Sequence, residues 1–261
     1  MLGTRRVIVV MPAYNAALTL RRTVKEIDRN VVDEVLMVDD ASGDTTTDEA
    51  RRLGLVIEVH DANRGYGGCQ KTCYSKALEH DADIVVMLHP DYQYSPRLVP
   101  AMAAMIAFGE YDFVLGSRIL AQNAVEGGMP RYKYFSNRVL TLLENLMLGT
   151  KLSEFHTGLR AYSRALLEAI PYERNSDDFV FDNQVIVQAI AAGARIGEVS
   201  CHTRYEPESS SIGPWHSIKY GVGVLRTANQ YRRQQRGKAV YPYLQVEKAD
   251  AGVAVLNSAA H

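Results

Sequence analysis

Short unbroken apolar runs alternate with stretches whose apolar residues recur three and four apart, and the alternation is regular over the first 118 residues. "RRVIVVMPAYN", "VDEVLMVDD", "LVIEVHD", "ADIVVMLHP" and "YDFVLGSR" are the unbroken runs. Their length and continuity suit strands buried on both faces. Between them, "ALTLRRTVKEIDRN", "TTTDEARRLG", "GGCQKTCYSKALEH" and "SPRLVPAMAAMIAFG" read as helices. Gly54 closes the second, and Ser95 as N-cap with Pro96 in the first turn opens the fourth. The alternation implies an α/β fold with a mainly parallel sheet covered by helices on both faces. In such sheets ligands bind beyond the carboxyl ends of the strands. Asp39, Asp40 and Asp91 all stand at predicted strand ends, so one cleft is expected to hold them.

The second half is less regular. "GGMPRYKYF" reads as a loop and "SNRVLTLLENLMLG" as a strongly apolar helix. "SEFHTGLRAYSR" breaks the pattern with polar residues, and "DDFVFDNQVIVQAIAAG" is a helix entered through acids. A strand, "ARIGEVSCHTRY", a polar loop, "EPESSSIGP", and a helix with a basic end, "WHSIKYGVGVLRTANQYRRQQRG", complete the pattern. One compact domain over 1–237 is expected, its halves dividing at 118/119, with 238–261 as a C-terminal extension. Phe135, Val139, Leu142, Leu143, Leu146 and Met147 form a broad apolar stripe flanked by Lys133 and Arg138. The favoured reading is core or homodimer contact, while a stripe of this kind also suits a membrane interface.

Composition narrows the picture by exclusion. The chain has 261 residues, with 29 Lys and Arg against 30 Asp and Glu, and so no general basic surface that would call for nucleic acid. Cys69 and Cys73 lie four apart without a second metal-type pair, and Cys201 stands alone; neither a zinc site nor a disulfide framework is expected. Free thiols fit a reducing compartment. No segment reaches the roughly 18 uninterrupted apolar residues of a transmembrane helix. The N-terminal apolar run ends at Pro12 without a small-residue cleavage pattern. The expectation is a cytoplasmic protein whose membrane contact, where it occurs, is peripheral. Clustered carboxylates repel unless compensated, and a hard divalent ion bridging substrate phosphates is the common solution. Asp91 and Gln93 alternate on what reads as an extended segment, and carboxylate plus amide oxygen suits Mg2+ or Mn2+ better than Zn2+. Taken alone, "DYQYSP" reads equally well as a solvated turn.

"VVMPAYNAALTL", "MVDDASGDTT", "NRGYGGCQKT", "HPDYQYSP" and "VLGSR" follow one another in the order seen in family-two glycosyltransferases, and the chain resembles that family from Val7 to Ser211. Within it, the dolichyl- and polyprenyl-phosphate sugar synthases and their soluble relatives are most similar. The resemblance implies a GT-A, Rossmann-like fold with a nucleotide-binding half (1–118) and an acceptor half (119–237). It implies inverting transfer of a sugar from a UDP- or GDP-sugar. On the donor side it places Pro12, Tyr14 and Asn15 at the base pocket and Asp40 on base or ribose. Gly65, Gly67 and Gly68 would let the backbone approach the nucleotide; "NRGYGG" lacks the lysine and Ser/Thr of a P-loop.

"HPDYQ" stands where the family has Asp-x-Asp-x-Gln, giving Asp91 and Gln93 as metal ligands and His89 in place of the first acid. His89 then bonds the nucleotide as a neutral imidazole, the favoured reading, or ligates the metal, or packs at the strand end. Arg118 would stabilise phosphate charge, and His156 and Thr157 would touch the acceptor. Asp182 is the candidate general base, sharing a helix face with Asp178 at i, i+4; the bland alternative is a pair of acids complementing the helix dipole. Arg131, Arg204, Ser209 and Lys219 are the candidate acceptor-phosphate contacts. Glu206 and Ser210, however, stand where the family has cations. A polyprenyl phosphate is the favoured acceptor, a hydroxyl compound the alternative, and a non-catalytic nucleotide-sugar-binding protein the third reading.

Overall fold

The alternation of strand and helix predicted for the first half forms as expected in the computed structural model, which describes residues 2–121, 129–203 and 214–246. Seven strands make one sheet: β1 (Val7–Ala13), β2 (Glu34–Asp39), β3 (Val56–Val59), β4 (Ile84–Met87), β5 (Phe113–Ser117), β6 (Arg160–Ser163) and β7 (Ile196–Ser200). Their spatial order is β3-β2-β1-β4-β6-β5-β7. All neighbours are parallel except β6, which runs antiparallel to both β4 and β5. The polar stretch "SEFHTGLRAYSR" therefore contains a central strand that the pattern did not suggest. It is four residues long and opens on an arginine, so its apolar signal is only Ala161 and Tyr162.

Side chains alternate across each strand; β1, β2, β4 and β5 are buried on both faces, whereas β3, read from sequence as buried, is a half-exposed edge strand. Ile8, Val10, Leu36, Val38, Val85 and Met87 pack with residues of α3 (Gly65–Glu79), α7 (Phe181–Ala191) and α8 (Pro214–Gln235). Val7, Val9, Met11, Val35, Ile84 and Val86 pack under α1 (Ala17–Lys25) and α4 (Val99–Ala107). Covering both faces is the physical reason the strands are continuous apolar runs. The short helices α2 (Thr46–Arg52) and α6 (Arg164–Ala169) complete the layers. All three cysteines are buried free thiols.

Two expectations for α5 (Arg131–Leu148) need correction. The helix starts at Arg131, inside the segment read as a loop; Pro130 precedes it, where a missing N–H breaks no helical bond. Gly149, at φ 72°, ends it in the left-handed conformation. Its apolar stripe is not core. Asn137, Thr141, Glu144 and Leu148 form the buried face, while Phe135 and Leu146 are each 70% exposed. Within the extension, Leu244 is buried and Gln188 Nε2 donates to the Tyr243 carbonyl at 2.7 Å, so its first residues pack beside α7. No helix among the described residues is long and apolar enough to cross a membrane.

Candidate active site

The carboxyl ends of β1 and β2 finish in register, Ala13 opposite Asp39. Their loops are tied by polar contacts. Asn15 N–H donates to Ser42 Oγ at 2.8 Å, Gly43 N–H to Asn15 Oδ1 at 2.9 Å, and Ala16 N–H to Thr46 Oγ1 at 2.7 Å. Asn15 and Ala41 hold φ values of 52° and 60°, a conformation L-residues adopt only when their surroundings impose it. Pro12 is buried in β1, and Tyr14 projects with 58% of its surface exposed. Asp44 is partly desolvated, which favours its neutral form. Hydrogen bonds from the Thr46 hydroxyl and the Thr46 and Ala17 N–H groups outweigh this and hold its carboxyl below the usual range.

The two acids of "VDD" differ in what they do. Asp40 accepts from Arg64 N–H at 2.8 Å, from Gly65 N–H at 3.1 Å and from His60 Nδ1 at 2.7 Å. It is thus a tie between β2 and the start of α3. Asp39 accepts from Ser42 N–H at 3.0 Å through Oδ2, while its buried Oδ1 has no hydrogen-bond partner. Of the pair, Asp39 keeps an acceptor atom in hand. The glycines of "RGYGG" serve a close approach, and the partner present is the chain itself. Gly67 N–H donates to the Asp177 carbonyl at 2.7 Å, and a Cβ on Gly67 would lie 2.3 Å from the Ser176 carbonyl oxygen.

β4 ends at Met87, so His89, Asp91 and Gln93 lie beyond it in a turn, with Tyr92 at φ 57° between the last two. The extended alternation expected for Asp91 and Gln93 is not what forms. The Tyr92 ring holds the turn: it is buried, its hydroxyl bonds Glu26, and the Arg22 guanidinium sits 3.7 Å from its centroid. Asp91 Oδ1 accepts from Gln93 N–H at 3.0 Å. His89 lies flat against Tyr66, centroids 5.5 Å apart and planes at 9°, and its Nε2 is 3.2 Å from the Tyr66 hydroxyl. On the other side a Cβ at Gly158 would meet its ring at 2.9 Å. Burial lowers the His89 pKa against the pull of Asp91 and Asp182, favouring a neutral imidazole.

Tyr66 joins this turn to the acceptor half. Its hydroxyl donates to Asp182 Oδ2 at 2.7 Å, and burial together with that carboxylate raises its pKa far above the usual phenol value. Gln70 donates to Asp182 Oδ1 at 2.8 Å, and Arg160 Nη1 lies 2.8 Å from the same oxygen. Arg160 is fully buried. Desolvation opposes its charge, but Asp182 and the surrounding tyrosine oxygens more than offset that and raise its pKa. Asp182 stands in the first turn of α7, whereas Asp178 precedes the helix and pairs with Lys219 at 2.6 Å. The expected shared helix face is absent because Ser176 and Asp178 side chains fold residues 176–179 into turns of their own.

Arg118 and Thr157 are also engaged by the protein. Arg118 N–H and Nε donate to Glu154 at 2.7 and 2.8 Å, and its Nη2 reaches the His156 carbonyl. Burial works against the Glu154 charge, but Arg118 and the Asn137 amide outweigh it and keep its pKa low. Thr157 is buried, its hydroxyl on the Gly116 carbonyl. His156 Nδ1 is 2.9 Å from the Tyr220 hydroxyl, and its Nε2 faces Glu144 Oε2 at 3.3 Å. Burial pushes the His156 pKa down to about 4 and that of Glu144 up to about 8. Both shifts favour the uncharged forms, a protonated carboxyl and a neutral imidazole. Arg131 is exposed at the start of α5. Arg204 and Ser209, like Glu206 and Ser210, lie outside the described residues.

No group of three or more His, Cys, Asp and Glu side chains among the described residues could by itself hold a metal ion. At the β4 turn the protein's donors are one carboxylate and one carboxamide, with a neutral imidazole beside them. Hard oxygen donors this few fit Mg2+ or Mn2+ that completes its shell from substrate oxygens, and they do not fit a closed protein cage.

Residues 8–170 match the family described as glycosyl transferase family 2. The chain belongs to that family. Among its relatives, the undecaprenyl-phosphate mannosyltransferase of Micrococcus luteus is 31% identical, covering 74% of this chain and 82% of that one. The UDP-N-acetylglucosamine–dolichyl-phosphate N-acetylglucosaminyltransferase of Methanococcus voltae is 26% identical, over 81% and 91% of the two chains. Among solved structures, glucosyl-3-phosphoglycerate synthase from Mycobacterium tuberculosis, in complex with Mn2+, UDP and glucosyl-3-phosphoglycerate, superposes with a TM-score of 0.64 at 19% identity, covering 91% and 82%. That likeness fixes the fold as GT-A. Packed against the candidate site residues are side chains that sequence reasoning passed over: Tyr66, Gln70, Glu154, Arg160, Glu144 and Tyr220. Only two carried a local signal, Tyr66 as the bulky residue inside a glycine cluster and Arg160 as a lone charge ahead of an apolar pair.

Proposed function

We propose that this glycosyltransferase transfers a sugar, with inversion, from a nucleoside-diphosphate sugar to a polyprenyl phosphate. The observation that carries the reading is that Asp182, the candidate base, is already held by Arg160, Tyr66 and Gln70. A hydroxyl acceptor needs a base to take its proton; a phosphate arrives ionised and supplies its own nucleophilic oxygen. The relatives named for dolichyl and undecaprenyl phosphates support the same acceptor class.

On the donor side, Tyr14, Pro12 and Asn15 border the base, and the unpartnered Oδ1 of Asp39 accepts from a base N–H or ribose hydroxyl. Asp91, with Gln93, would hold Mg2+ or Mn2+. Bound there, it would supply positive charge to offset the leaving diphosphate, an electrostatic contribution that usually dominates such chemistry. His89, neutral and backed by Tyr66, donates or accepts one hydrogen bond beside it. Asp182 positions Arg160 and Tyr66 and takes no proton. Arg131 and Lys219, with Arg204 and Ser209, meet the acceptor phosphate, Lys219 by leaving Asp178. The transfer is placed at the cytoplasmic side of a membrane, where the lipid acceptor presents its head group.

The test is transfer of labelled sugar from UDP- and GDP-sugars, with Mn2+, to a short-chain polyprenyl phosphate, to the matching polyprenol and to simple glycosides. The phosphate is the expected acceptor. Turnover on polyprenol or glycosides alone would overturn the reading.

A further inference from the structure

The outer face of α5 and the adjoining face of α8 combine exposed apolar side chains with charge of a single sign. On α5, Phe135, Leu142 and Leu146 are 70%, 59% and 70% exposed; on α8, Ile218 and Val222 are 60% and 63% exposed. The two helices pack together, Leu140 lying 3.7 Å from where a Cβ on Gly221 would sit. Near that contact, Val139 beside Leu140 and Leu143 one turn beyond it on α5, and Ile218 one turn before Gly221 and Val222 beside it on α8, are exposed. The exposed apolar surface is therefore continuous across both helices, larger than the single scattered side chains that need no explanation.

The charges decide what covers it. α5 carries three Lys and Arg residues and α8 four, while their only acid is Glu144. Glu144 is fully buried and faces His156. The carboxylate at the edge of α8, Asp178, is neutralised by Lys219. A second copy of this chain would bring the same cations against themselves. An anionic lipid surface meets both features at once, apolar side chains entering the acyl boundary and Lys and Arg reaching head groups.

We infer that the α5–α8 face docks on an anionic bilayer, with Phe135, Leu142 and Leu146 inserted and Arg138 and Arg226 on the head groups. It adds to the lipid-acceptor reading the orientation of the enzyme: α5 lies in the interface, and Arg131 at its first turn stands at head-group level. The surface itself does not depend on that reading.

The experiment is co-sedimentation of the whole chain with vesicles of phosphatidylcholine alone and with one-third phosphatidylglycerol. Binding to the anionic vesicles is expected, weakened by high salt. The double variant Phe135→Glu, Leu142→Glu should lower the partition about tenfold or more. Phe108→Glu, at a side chain 76% exposed beyond α4 on the opposite face of the sheet, should leave it unchanged. Absence of binding by the parent, or equal loss in the Phe108 variant, overturns the inference. So does sedimentation velocity showing a dimer that the double variant dissolves while vesicles go unbound. Transfer to a water-soluble short-chain polyprenyl phosphate without vesicles should survive in the double variant, which separates failure of docking from failure of the acceptor reading.

Discussion

The two ends of the site hold their carboxylates by different means. At the donor end, Asp39, Asp40 and Asp44 are met by backbone N–H groups, hydroxyls and one histidine, with no Lys or Arg ion pair among the described residues. At the acceptor end, Glu154 and Asp182 are each paired with an arginine, one of the two fully buried. Neutral donors hold loops in shape without cancelling the local negative charge, so a cation brought with the nucleotide is attracted there. Arginine pairs rigidify the acceptor wall but leave it near neutrality. On the proposed reading, charge on an incoming phosphate is met by cations at the rim, such as Arg131.

This contrast can be broken at several points, the largest first. Asp91→Asn removes the carboxylate at the β4 turn. Transfer should fall about 10²-fold or more, on the scale of a lost electrostatic contact to the reacting group, and nucleotide binding should no longer depend on Mn2+ in a thermal-shift titration. Unchanged turnover would remove the metal from this turn. At the acceptor end, Arg160→Met leaves Asp182 buried without its cation and should destabilise by about 3–5 kcal/mol in urea unfolding. Adding Asp182→Asn should recover part of that, a coupling of about 1–3 kcal/mol; full additivity would mean the pair is not an energetic unit.

Arg131→Ala should raise KM for a phosphate acceptor about tenfold, the scale of one charge-assisted hydrogen bond, and leave donor KM alone. Equal effects on both substrates would move Arg131 away from the acceptor. The smallest effect concerns pH. Glu144, raised to about 8, holds its proton in the folded state while the unfolded chain releases it, so its contribution is lost as pH rises from 4.5 toward 8. His156, lowered to about 4, acts in the opposite sense between 4 and 6.5. The two oppose each other below pH 6.5, and above it Glu144 alone acts. Stability should therefore decline from pH 6.5 to 8 by up to about 1.4 kcal/mol per pH unit. Glu144→Gln should flatten that decline in Tm measurements; an unaltered slope would assign it to another group.

Much of this fold was legible because strands covered on both faces must be apolar at every position. β1, β2, β4 and β5 therefore stand out as unbroken runs, and their acidic ends point to one edge of the sheet. β6 was hidden because its first residue serves the site: Arg160 is there to pair with Asp182, and its charge disguises a central strand. The apolar stripe of α5 misled in the other direction, since periodicity reports a face without saying what lies against it. Asp40 and Asp91 could be singled out from motif and position, though Asp40 forms a tie from β2 to α3 and it is Asp39 that keeps the unpartnered oxygen. Their partners could not, because His60–Asp40, Tyr66–Asp182, Arg118–Glu154 and His156–Glu144 are contacts between distant stretches of sequence, made only once the sheet has formed.

The central claim is that the acceptor brings its own ionised oxygen and that Asp182 positions Arg160 and Tyr66 without taking a proton. Turnover of Asp182→Asn on a short-chain polyprenyl phosphate, at a temperature where circular dichroism shows the variant folded, tests it most directly. The account predicts kcat within about tenfold of the parent, far less than the loss of a general base brings, together with a lowered Tm from the unpaired Arg160. A fall in kcat of about 10²-fold or more in the folded variant would assign Asp182 the proton and contradict the account.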